Sequence, residues 1–152
     1  MSYSKAGALN KYSQVAVQAD ASYASPHRLI QMLLEGALEK IAIAMGHLTR
    51  GQIAKKGQHI GWALSIIGGL RASLDMNAGG EIASNLKDLY DYMERRLLHA
   101  NLNNDIAALE EVVGLLRQVK SAWDAIPEDV QRAHAQVKSG AAATAEASIA
   151  VR

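Results

Sequence analysis

The residues able to do bond-making or metal chemistry are few, and their spacing is wrong for it. Di-iron sites in helical bundles use Glu-x-x-His, which puts a carboxylate and an imidazole one helical turn apart. The residue three after Glu35, Glu39, Glu81, Glu94, Glu110 or Glu111 is Leu38, Ala42, Ser84, Leu97, Val113 or Gly114, never a His. His27, His47, His59, His99 and His134 are scattered with no two at one-turn spacing, so each reads as a surface or helix-end residue. With no Cys there is no thiolate ligand, no Cys nucleophile and no disulfide, which suits a reducing compartment. No Gly-x-Ser-x-Gly elbow exposes a serine. Gly79-Gly80 precedes a helical pattern, but no strand leads into it, no Gly-Lys-Ser/Thr follows, and Glu81 sets negative charge where a phosphate would sit. The reading is a non-enzyme with no cofactor and no metal.

The bulk properties point the same way. Sixteen Lys and Arg against fifteen Asp and Glu leave a net charge of +1, far from the concentrated field that nucleic-acid binding needs. The longest charge-free stretch near the middle, Ile60 to Leu70, is too short and too glycine-rich for a bilayer span of about 20 apolar residues. Residues 12–24 are broken by Ser13, Gln14, Gln18 and Asp20, so no apolar leader core is present and a cytoplasmic address is expected. A chain of 152 residues that is 49% hydrophobic but only 5% aromatic, with two Pro, favours one all-α domain.

Four stripes with a helical period then organise residues 25–126. Ser25-Pro26 offers a cap followed by proline at the first helical position, and Ile30, Leu33, Leu34, Ala37, Ile41, Ala44, Met45 and Leu48 carry that helix to about Arg50. After Gly51 a second helix is expected from Ile53 to Met76, with Ile53, Ile60, Ala63, Leu64, Ile67, Leu70 and Leu74 inward, ended by Asn77-Ala78-Gly79-Gly80. Glu81 opens a third, with Ile82, Leu86, Leu89, Met93, Leu97 and Ala100 inward. Asn103 or Asn104 would cap a fourth, built on Leu109, Val112, Leu116, Val119, Trp123 and Ile126. Short connections make successive helices antiparallel, which gives an up-down-up-down four-helix bundle. Residues 1–24 form a separate segment in which Leu9, Tyr12, Ala16, Ala19 and Tyr23 could make a marginal amphipathic helix, and residues 127–152 form a short helix or weakly ordered tail.

Apolar positions are left over once the core is filled. On the first helix Leu29, Met32, Gly36 and Ile43 lie opposite the core arc. On the second, Trp62, Ile66, Gly69, Ser73 and Met76 make a further line at alternating spacings of four and three. The fourth adds Leu115, Ala122 and Ile126 beside its core stripe. Such seams fit a groove for the amphipathic helices of another chain. A homo-oligomer using the same seams on itself is the competing reading.

Several of these stretches also resemble a known family. Ser25-Pro26-His27-Arg28-Leu29-Ile30-Gln31-Met32-Leu33-Leu34-Glu35-Gly36-Ala37-Leu38 is similar to the opening helix of the FliS flagellin export chaperones. Ser73-Leu74-Asp75 with Gly79-Gly80-Glu81-Ile82-Ala83-Ser84-Asn85-Leu86 resembles their central turn, and Leu89-Tyr90-Asp91-Tyr92-Met93, Arg96-Leu97 and Ala100-Asn101 follow in order. The likeness runs from roughly Tyr12 to Trp123. Leu34-Glu35 departs from it, because many relatives carry an aromatic residue and Asp before the first-helix Gly.

The resemblance implies a cytoplasmic chaperone that binds the C-terminal region of flagellin, prevents premature polymerisation and aids delivery to the flagellar export apparatus. Flagellin contacts are then expected at Leu29, Met32, Ile43, Trp62, Ile66, Gly69, Met76, Leu115 and Ile126. Leu9, Tyr12 and Ala16 are expected to cap the groove, and a homodimer is expected when flagellin is absent. Nucleic acid and stable membrane insertion are not among the expected partners.

Overall fold

The structure is a computed structural model that describes residues 25–133. Expectations for residues 1–24, including Leu9, Tyr12 and Ala16, and for the chain beyond residue 133 lie outside it. Helix α1 spans Pro26–Thr49, α2 Ile53–Ala72, α3 Met76–Asn103 and α4 Ile106–Asp124; residues 128–133 are also helical. Each of the four packs against two neighbours in the ring α1, α2, α3, α4, and the α1–α2 pair is the most extensive. With short turns between them, this is the expected four-helix bundle.

Local chemistry explains where the helices begin and end. The Ser25 side chain accepts from Arg28 N–H at 3.1 Å, satisfying one of the donors that the first turn leaves free, and Pro26 follows at no cost. Helix α1 closes into Gly51, whose φ of 72° suits a residue without Cβ. Helix α2 ends at Ala72, earlier than the periodicity suggests, because Asp75 accepts from the N–H groups of Asn77 and Ala78 and so starts a new helix. The four residues expected to be a linker are therefore the first turn of α3. Gly80 then breaks the helical path with φ 52° and ψ −127°. Just before it, a Cβ on residue 79 would come within 2.5 Å of the Ala83 Cβ, so both glycines are needed.

Past the kink the expected inward stripe holds except at its start. Ile82, expected inside, is 74% exposed, whereas Ala83 is buried, and the interior positions continue as Tyr90, Met93, Leu97 and Ala100. The next junction also differs by one residue from expectation. Asn104 ends α3 in the left-handed region at φ 52°, which Asn tolerates better than most residues, and the α4 cap is Asp105, accepting from Ala108 N–H.

Alanines at 37, 44, 63, 100 and 108 let the helices approach closely around Leu34, Ile41, Ile60, Leu64, Ile67, Leu70, Leu109, Val112 and Leu116. Helix α2 is the most enclosed. Ala63, Leu64, Ser65, Ile66 and Ile67 are consecutive and all buried, more than one full turn, while Ile53 at its start is 48% exposed rather than interior. Ile66 is as inaccessible as Ile67, both at 0% exposure, so a one-residue step does not separate core from surface here. Gly69 is buried as well.

Among the described residues, a lysine is carried inside. Lys56 on α2 is 2% exposed, and its ammonium donates to Asn101 O at 2.9 Å and Asn104 Oδ1 at 2.6 Å. A positive charge at the carboxyl end of α3 meets the negative pole of that helix, which offsets part of its desolvation. The left-handed Asn104 thus ends one helix and holds another in place.

Two outcomes follow for urea unfolding. Ile66→Ala and Ile67→Ala should each lower stability by about 2 to 5 kcal/mol, the range for truncating a buried branched side chain. Lys56→Met should lower it by about 2 to 4 kcal/mol through two lost charge-assisted bonds and two unpaired acceptors. A loss below about 0.5 kcal/mol in any of the three would contradict the packing described.

Candidate helix-binding groove

Between α1 and α4 lies a groove of about 480 Å³. Leu38, Ala42 and Met45 line it from α1, at spacings of four and three, and Glu110, Val113, Gly114 and Arg117 line it from α4. Both sets therefore run along single helical stripes that face each other. The floor is apolar and shallow at its small residues: Ala42 and Gly114 are exposed, and a Cβ added at Gly114 would meet nothing within 4 Å. Exposed Glu110 and Arg117 stand two turns apart on α4, one of each sign, at the two ends of the trough. An apolar floor with opposite charges at its ends can take an amphipathic helix carrying complementary charges two turns apart.

The walls are held by polar ties. At one end, Gln31 Nε2 donates to Asp124 Oδ1 at 2.8 Å, and the Lys120 ammonium lies 2.6 Å from Asp124 Oδ2 and 3.8 Å from Glu35. The hydrogen bond from Lys120 is the main reason the Asp124 carboxyl sits below the usual carboxylate range. Trp123 Nε1 donates to His27 O at 3.0 Å, and the two rings stack with centroids 4.8 Å apart and planes 9° from parallel. On the opposite side, Glu111 ties α4 to α3 by accepting from Tyr92 Oη at 2.9 Å and Arg96 Nε at 2.8 Å; these bonds, Tyr92 first, lower its carboxyl pKa. Arg71 joins α2 to α3 through Asp91 and Glu94.

The residues expected from sequence to meet a partner are spread over more than one face. Leu29, Met32 and Ile43 on α1 are half-buried, as are Leu115 on α4 and Ile126 just after it. Trp62 on α2 is 39% exposed, with the Lys40 ammonium 3.9 Å above its ring, a cation–π contact across α1 and α2. Met76 is 44% exposed but belongs to α3, not to the end of α2. Ile66 and Gly69 are interior in this conformation. The groove itself is lined by residues the seam argument passed over. Met45 counts there as core, and Leu38, Ala42, Val113 and Gly114 as neither core nor seam. A signal existed in Gly114, a small residue beside the stripe of Leu109, Val112 and Leu116 where a helix gains nothing from glycine unless a backbone approaches.

Among the described residues no group of His, Asp and Glu is placed to hold a metal ion, and no helix is long and apolar enough to cross a membrane. The family model of flagellar protein FliS matches residues 8–130. This chain belongs to the FliS family. It is 53% identical over 119 residues to flagellar secretion chaperone FliSB of Pseudomonas aeruginosa, covering 78% of this chain and 94% of that protein. Flagellar secretion chaperone FliS of Salmonella typhimurium is 48% identical over 122 residues, 80% of this chain and 90% of that one. The Vibrio cholerae FliS is 43% identical over 123 residues, with coverages of 81% and 90%. The FliS match thus takes in all four helices and every lining residue of the groove.

Proposed function

We propose that this FliS-family chain is a flagellar secretion chaperone that binds the C-terminal region of flagellin in the cytoplasm, prevents its premature polymerisation and helps deliver it to the export apparatus. The observation that carries this reading is the open apolar groove between α1 and α4, with Gly114 in its floor and charges of both signs at its ends, on a chain that belongs to this family. Segments that assemble by helix packing expose apolar faces before assembly, and a chaperone need only cover those faces reversibly. No bond is made or broken, so no catalytic residue is called for.

Trp62, Met76, Leu29, Met32, Ile43, Leu115 and Ile126 extend the proposed contact beyond the groove; Ile66 and Gly69 would join it only if the face above α2 opened. Leu9, Tyr12 and Ala16 are proposed as the cap of that surface, and a homodimer when flagellin is absent would use the same apolar positions.

The test is titration of the purified chain with flagellin and with flagellin lacking its C-terminal region. Gly114→Trp should fill the trough and weaken binding at least about tenfold, with the unfolding midpoint unchanged because residue 114 is exposed. Trp62→Ala should cost about 1 to 3 kcal/mol of binding. Equal affinity for both flagellins, or wild-type affinity in both variants, would sink the proposal. Deleting residues 1–24 should raise the fluorescence of a dye that binds apolar surface; unchanged fluorescence would remove the capping role.

A further inference from the structure

His27 sits in the first turn of α1 and is 7% exposed, stacked on Trp123 of α4. Its Nε2 is buried and has no hydrogen-bond partner among the described residues. A neutral imidazole tolerates this, because one ring nitrogen needs no acceptor. An imidazolium donates from both nitrogens, and the second N–H would be a charged donor with nothing to receive it. The first turn of a helix is also the positive pole, the wrong end for a cation. The charged group acting on His27 is Asp124 on α4, with Lys120 beside it; Arg28 adjoins it on α1 and Glu35 lies about two turns further along that helix. Glu35 and Asp124 are already engaged by Arg28 and Lys120.

We infer that His27 and Trp123 form a proton-sensitive latch: closed while the imidazole is neutral, it opens on protonation when the ring leaves the indole to find an acceptor, freeing the amino end of α1 from the carboxyl end of α4. Burial, the larger effect, lowers the His27 pKa, while Asp124 pulls the other way. The unfolded chain takes up its proton near 6.5, the folded chain only at lower pH, so the latch is fully closed above pH 6.5 and its contribution is lost as pH falls toward the depressed value. The latch stands whether or not the groove binds flagellin, since both its partners belong to the bundle itself.

The experiment uses the full chain carrying Trp62→Phe, so that Trp123 is the sole indole, between about pH 7.5 and about pH 5. Trp123 emission should fall with a midpoint below 6.5, the ordinary His value, as the imidazolium forms and the stack opens. Amide exchange in residues 27–31 and 120–124, corrected for the intrinsic pH effect, should rise at least about tenfold relative to the α2 core. His27→Phe keeps an aromatic ring on the indole and cannot titrate, so both responses should vanish. Either response persisting in His27→Phe, or neither appearing in the parent, overturns the latch. Should His27→Phe not fold, the imidazole resonance of His27 in the parent decides, and a midpoint at or above 6.5 overturns it.

Discussion

Enclosure of α2 is the constraint on which the other helices depend. A stretch from Ala63 to Ile67 that is buried on consecutive residues cannot be satisfied by one neighbour, because five successive side chains point around more than a full turn. Helix α1 covers one side of α2 and α3 the other, and α4 closes the ring by packing on both of them. Helices α1 and α4 meet as the closing pair, tied at one end by His27 to Trp123, Gln31 to Asp124 and Glu35 to Lys120. The groove lies along that same α1–α4 contact, where Ala42 and Gly114 leave space that large side chains would have filled. A surface built this way can accept a helix without disturbing the core, because the groove lining and the sealed residues around Ile66 belong to different helices.

Much of the fold was legible from residue type and spacing. Ser25-Pro26 placed the start of α1 to the residue, and the four inward stripes held over most of their length, with Ile53 and Ile82 exposed. The misplaced helix starts share a cause. Asp75 and Asp105 each outcompeted a neighbouring candidate as cap, the former against a glycine-rich stretch that reads as a linker. Such competition among adjacent polar residues is decided by backbone angles, such as the left-handed Asn104, that spacing does not encode. Ile82 is a separate miss at the start of its stripe, where Ala83 is buried instead, while Leu86, Leu89, Met93, Leu97 and Ala100 lie in or against the core as expected.

The candidate site was legible in kind but not in place. Surplus apolar residues on the first, second and fourth helices pointed to a partner surface, yet a helical wheel treats each helix alone and cannot tell a seam facing solvent from one facing another helix. Ile66 and Gly69 were assigned to surface on that basis and are interior, whereas Leu38, Ala42 and Gly114 open a groove only because α1 and α4 stand side by side.

Lys56 carries a consequence for the order in which the chain acquires structure. Its acceptors lie 45 and 48 residues further along, and the carbonyl of Asn101 and side chain of Asn104 reach their positions only when α3 has wound to its end. Until then an α1–α2 hairpin, although it is the most extensive pair, holds an ammonium that must stay hydrated and so keeps the start of α2 from closing. During synthesis the start of α2 is therefore completed only after the α3–α4 turn has emerged, whatever the rest of the α1–α2 pair has already formed.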